Sequence, residues 1–147
     1  MQIIKVTRNK KQYLPLLLLA DEEEAMIDRY LERGTMYVLK DGDVKAECLV
    51  TDEGDGILEI KSLATLPQFQ HRGYAKALVN FIEAKYKGRF KILQAGTGDS
   101  PATVPFYQKL GFIRSHIIKN FFTDNYSRPI YDGGVLLTDM VYLRKRL

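Results

Sequence analysis

The segment "GILEIKSLATLPQFQHRGYAKALVNFIEAKYKGRFKILQAGT", residues 56–97, constrains the fold of this chain more than any other. It opens with an apolar β run over 57–66 that Pro67 ends. A helical pattern follows over 73–87, where Tyr74, Leu78, Phe81, Ile82, Lys85 and Tyr86 fall near one face, and Gly88 supplies the stop. A second β run covers 90–95. Two strands joined through a helix of this length lie parallel, with a right-handed crossover.

The flanking segments predict antiparallel structure. "MQIIKVT" reads as an edge strand. "LLLLADEEEAMIDRYLERG" reads as two short helices with a break near Ala20, where Asp21 and Glu24 have capping-box spacing. "TMYVLK" and "DVKAECLVT" form a hairpin through Asp41-Gly42. After the crossover come a short helix in "SPATVPFYQKLG", beginning near Thr103 because of Pro101 and Pro105, and a strand in "FIRSHII". Residues 119–134 are aromatic and turn-rich, and "VLLTDMVYLRKRL" reads as a last strand. The fold class is therefore α+β with a mixed sheet, and residues 1–147 read as a single domain without repeat or linker.

Hydrophobic residues make up 46% of the chain and charged residues 27%, a globular balance. The net charge of +4 is mild, its basic residues are dispersed, and no RNA-binding signature is present, so a nucleic-acid partner is not expected. The longest apolar run, "YLPLLLLA", is too short to span a bilayer, so no membrane partner is expected and a cytoplasmic location is. One cysteine, Cys48, excludes an internal disulfide; in its apolar run it reads as an inert core thiol. With two histidines and no Cys-x-x-Cys, no metal site is expected.

The turn "QHRGYA", residues 70–75, joins the first β run to the helix. It admits two readings. One is a bend with glycine at a convenient place. The other is an anion site, because the first N–H groups of a helix lack internal partners and carry partial positive charge. No Walker pattern G-x-x-x-x-G-K-[ST] occurs, and "GTGDSP" at 96–101 is a weak match to a dinucleotide fingerprint.

The wider stretch "LEIKSLATLPQFQHRGYAKALV" resembles the core motif of the GNAT superfamily of N-acetyltransferases, [Q/R]-x-x-G-x-[G/A], with Gln70, Gly73 and Ala75 at its fixed positions. "FYQKLGF", residues 106–112, resembles the family's Tyr-x-x-x-Gly-Phe segment. The likeness is strongest over residues 35–116. "AGTGDS", "FYQKLGF" and "TDM" also resemble a group of small bacterial members, some labelled indoleacetic-acid acetyltransferase-like, a label that does not establish a substrate.

The resemblance implies a central sheet of about seven strands with about four helices, splayed between the fourth and fifth strands. It implies acetyl transfer from acetyl-CoA to a primary amine of a small molecule, a peptide or a protein, by direct attack. Leu63, Ala64 and Thr65 would pair with the pantetheine arm, with the Leu63 N–H as oxyanion donor. Gln70, His71, Arg72, Gly73, Tyr74, Ala75 and Lys76 would surround the pyrophosphate. Tyr107 would protonate the leaving thiolate, and Glu59, four residues before Leu63, stands where several members carry a general base. A water chain is the alternative to Glu59, which then reads as an outward-facing strand residue. The family often has Asn seven residues before the tyrosine; here Ser100 stands there, or Asp99 with a one-residue gap. Phe121, Phe122, Tyr126 and Tyr131 would line an acceptor pocket with Asp124 and Asp132, or else cover the sheet or form a homodimer contact. A non-catalytic acyl-CoA-binding sensor or partner subunit on the same fold is the rival to an enzyme.

Overall fold

The computed structural model describes residues 1–147. Its strands are β1 (Gln2–Val6), β2 (Thr35–Asp41), β3 (Asp43–Asp52), β4 (Ile57–Thr65), β5 (Ile92–Gly98), β6 (Ile113–Ile118), β7 (Tyr131–Asp132), β8 (Val135–Leu136) and β9 (Met140–Arg146). The α-helices are α1 (Leu14–Ala20), α2 (Glu24–Ile27), α3 (Tyr74–Tyr86), α4 (Val104–Lys109) and α5 (Phe121–Asn125). Seven strands form one sheet in the order β1-β2-β3-β4-β5-β9-β6, and β7 and β8 form a separate hairpin. Every neighbouring pair in the large sheet is antiparallel except β4 and β5, which are parallel and joined through α3 as expected for the crossover.

The parallel pair is short. Ile57–Ile60 pair with Ile92–Ala95 and no further, although β4 runs on to Thr65 and β5 to Gly98. The separation begins beside an irregularity in β4. Leu49 and Val50 of β3 face Ser62 and Ile60, so Lys61 is an extra residue on β4. Such a bulge bends the strand that carries it. The result is a wedge between β4 and β5 with its mouth toward the C-terminal ends of both strands.

The two faces of the sheet are covered unequally. On one face α3 and α4 bury Leu78, Val79, Ile82, Tyr86, Val104 and Tyr107 with the inward residues of β2 to β5. On the other, α1 and α2 bury Leu17 and Ile27 with Tyr30, Leu31, Met36, Val38 and Leu49. The helical face of α3 differs from the spacing estimate in two places: Val79 is fully buried and Lys85 is exposed.

Three expectations need correction. Asp21 does not cap α2, whose N-cap is Glu23 without a side-chain bond. The 119–134 stretch contains α5 and strand β7, which makes five α-helices. The last strand begins only at Met140 and inserts between β5 and β6. No helix is long and apolar enough to cross a membrane.

Because Leu78 is 0% exposed under the helix that carries the glycine turn, Leu78→Ala is expected to cost about 2–5 kcal/mol of unfolding free energy. Urea denaturation measures it.

Candidate active site

The wedge opens into two clefts. One, of about 410 Å³, lies between the end of β4, the glycine turn and α4. Leu63, Ala64 and Thr65 form one wall, and Gln70, His71, Gly73, Tyr74, Ala75 and Lys76 form another. Gly73 is the N-cap of α3 with φ 86°, a left-handed conformation that favours glycine. A Cβ built there would meet no atom within 4 Å, so the backbone angle and not packing demands the glycine. Ala77 is the first residue of α3 whose N–H meets a carbonyl, that of Gly73 at 2.9 Å. The N–H groups before it are the helix's free donors. Tyr74 helps to anchor the turn, its hydroxyl donating to Asp41 at 2.6 Å.

The other cleft, of about 520 Å³, lies between α1, the splayed strands and residues 122–140. The clefts share Leu19, Leu63, Thr103, Tyr107 and Asp132. Tyr107 is held by edge contacts with Phe106 and Phe112, whose ring centroids lie 5.1 and 5.3 Å away. Burial, with smaller contributions from Cys48 and Glu47, raises its pKa above that of an ordinary phenol and keeps it protonated.

The second cleft has an acidic and aromatic lining. Asp21, Glu22 and Asp132 reach it, as do Phe122, Tyr126 and Tyr131. Asp21 accepts hydrogen bonds from Tyr30 at 3.0 Å and Tyr126 at 2.7 Å. Burial raises its carboxyl pKa, and the two phenol donors oppose that rise. Ser127 adds a second tie, donating through its amide and its hydroxyl to Glu23. The α1–α2 junction is thus clasped to the segment after α5.

Several expected residues are not brought to the clefts. Glu59 is 3% exposed and lines neither. Its carboxylate pairs with Lys61 at 2.8 Å and accepts from Gln94, which Arg144 holds in turn. This geometry does not meet the expectation of a general base. Ser100 is buried, accepting from the Ala102 N–H at 3.0 Å, and Asp99 pairs with Arg114 at 2.8 Å. Neither lines a cleft; Ala102 and Thr103 do. The Arg72 guanidinium lies over the Phe69 ring, 5.3 Å from its centroid, and lines neither cleft. Asp124 is exposed outside the clefts, and Phe121 packs on Phe122 and Tyr126. Gly96 and Gly98 are not in a loop: both lie in β5, paired with β9, and a Cβ on them would strike Met140 and Leu137. Cys48 is fully buried, as expected of a core thiol.

Asp21, Glu22, Leu19, Ser62 and Thr103 are among the cleft residues that sequence reasoning did not name as such. Asp21 had a visible signal, an acid at a break between helices, but its partner Tyr126 lies 105 positions away.

A family model described as an acetyltransferase (GNAT) domain matches residues 32–114. The uncharacterized N-acetyltransferase YvbK of Bacillus subtilis strain 168 is 36% identical over 131 residues, 87% of this chain and 84% of the relative. A crystal structure of a GNAT family acetyltransferase from Elizabethkingia anophelis with acetyl-CoA bound is similar at 35% identity with a TM-score of 0.93, over 99% of this chain and 97% of that one. A Bacillus subtilis acetyltransferase in complex with CoA is similar at 32% identity and a TM-score of 0.89, over 99% and 98%.

Replacing Tyr126 with Phe leaves the half-buried Asp21 one donor short. The variant is expected to lose about 1–2 kcal/mol of stability, read as a lower unfolding midpoint in urea.

Proposed function

The chain belongs to the GNAT acetyltransferase family and is an acetyl-CoA-dependent N-acetyltransferase, and from that premise we propose how its residues divide the work. One observation carries the reading: the two clefts meet at Leu63 and Tyr107, where β4 has lost β5 as a partner. The residues there fit acetyl-CoA. Unpaired strand backbone suits the amides of a pantetheine arm, and the free N–H groups at the start of α3 suit a pyrophosphate.

Leu63, Ala64 and Thr65 bind the arm along β4. The N–H groups from His71 to Lys76 bind the pyrophosphate, with Gly73 and Ala75 giving it room. Gln70 holds the turn, its side chain donating to the Thr65 carbonyl at 3.3 Å. The Leu63 N–H donates to the thioester oxygen and stabilises the charge that develops on it. Tyr107 gives its proton to the departing thiolate.

The acceptor enters by the acidic cleft. An alkylamine with a pKa near 10.4 is a cation at neutral pH. Asp21, Glu22 and Asp132 attract it, and the aromatic wall holds its apolar part. The acceptor is thus a primary amine of a small molecule or a peptide end. Its proton has to leave before attack, and Glu59, paired with Lys61, is poorly placed to take it.

Isothermal titration with acetyl-CoA tests the premise, and no binding at millimolar ligand overturns it. Tyr107→Phe is expected to lower turnover about 100-fold while acetyl-CoA binding stays close to that of the parent. Equal loss of both would refute the acid role. Gly73→Ala places a methyl group at the proposed pyrophosphate site and costs about 1–2 kcal/mol of backbone strain. It is expected to weaken acetyl-CoA binding and lower the thermal midpoint together.

A further inference from the structure

We propose that Glu47, acting through the Ser62 hydroxyl, takes up the proton that the acceptor amine must lose. The proposal rests on the acetyl-transfer reading and supplies the base that Glu59 does not.

Glu47 lies in the middle of β3 and is 0% exposed. Its Oε1 accepts from Ser62 Oγ at 2.5 Å. Its Oε2 has no hydrogen-bond partner, and no cation pairs with the carboxylate. A buried carboxyl left in this state is costly, and a fold has little structural reason to keep one. Ser62 explains why it is there. This serine is 2% exposed, yet it lines the acceptor cleft and immediately precedes Leu63. On β3, Glu47 faces Ala64, and Leu49 faces Ser62, so the acid and the hydroxyl are diagonal neighbours across the pair. One hydrogen bond therefore connects the cleft to an otherwise sealed acid.

The surroundings suit a proton acceptor. Tyr30, Cys48 and Tyr107 are ionisable groups that sense Glu47. All three have raised pKa values and are neutral at pH 7, so none compensates a negative charge. Burial pushes the Glu47 carboxyl up to about 8, against the pull of the Ser62 bond. A base with a pKa near the working pH transfers protons well in both directions.

The step balances. The ammonium gives one proton to Ser62 Oγ as Ser62 passes its own to Glu47 Oε1. The freed nitrogen lone pair attacks the acetyl carbon, the C–N bond forms and the C–S bond breaks. Tyr107 protonates the thiolate, and the second amine proton, released from the new amide, replaces the one Tyr107 gave. Glu47 returns its proton to solvent through Ser62.

The test measures CoA release from acetyl-CoA as a function of pH, with spermidine, 2-phenylethylamine or water as the acceptor, for the parent, E47Q, S62A and the double variant. The parent kcat/KM should rise through an ionisation near 8. E47Q should lose that limb and release CoA about 100-fold more slowly, with acetyl-CoA affinity by calorimetry unchanged. S62A should do the same, and the double variant should be no worse than either. An E47Q profile that keeps the parent's shape and rate overturns the proposal. So does a parent that binds acetyl-CoA and releases no CoA to any of the three acceptors. Failure to bind acetyl-CoA overturns the underlying reading instead. Unfolding midpoints give a check without turnover. A carboxyl raised in the fold is released to ionise on unfolding, so parent stability should fall as pH rises from the ordinary carboxylate range to about 8, and E47Q should flatten that slope. If E47Q does not fold, an unchanged rate and profile in S62A overturns the relay.

Discussion

The structure depends on the loss of one strand's partner. β4 pairs with β5 for four residues and then stands alone on that side, while β3 continues to hold its other edge through Thr65. Backbone N–H and C=O groups facing inward need partners, and a half-satisfied strand inside a sheet is costly unless something else supplies them. The extra residue Lys61 sets the position of the departure, because the bulge turns β4 just past its last contact with β5. Both clefts follow from that choice. The cofactor cleft lies along the released edge toward α3, and the acceptor cleft lies on the other side under α1.

On the proposed reading, the two clefts recognise their ligands by different means. The cofactor side offers mainly backbone: the edge of β4 and the start of α3, with glycine where the angle requires it. The acceptor side offers side chains from α1, α5 and the β7–β8 region, segments tied together by the Asp21–Tyr126 and Glu23–Ser127 bonds. Specificity for the amine thus resides in the part of the chain least constrained by the sheet.

That difference also explains what was legible in the sequence. The crossover, the glycine turn and Tyr107 are local patterns, and each is a short run whose spacing carries its meaning. The insertion of β9 between β5 and β6 is not local, because nothing in "MVYLRKR" names its neighbours. The 119–134 stretch shows only as aromatic and turn-rich in the sequence because α5 has five residues and β7 two, too few for a period to show. Glu59 shows a subtler limit. Alternation along a strand tells which face a residue takes, but not that Lys61 and Gln94 wait on that face to neutralise it. Ser100 and Asp99 failed in the same way, each satisfied by a neighbour that spacing could not reveal. Glu47 in "VKAECLV" looked like any polar residue in a β run, and only its burial marks it out.

In the proposed mechanism the two proton-handling groups are not independent. Tyr107 belongs to the core under α3 and α4, while Glu47 bonds to Ser62 beside the cleft under α1. Even so, the charge of Glu47 is one of the causes that raise the Tyr107 pKa. Low-dielectric surroundings let such a coupling act across the sheet. Burial remains the main cause that keeps Tyr107 protonated, and Glu47 adds to it. On the proposed relay, the uncompensated carboxylate that looks like a defect in the core is felt by both groups that handle protons, through a hydrogen bond at Ser62 and through the field at Tyr107.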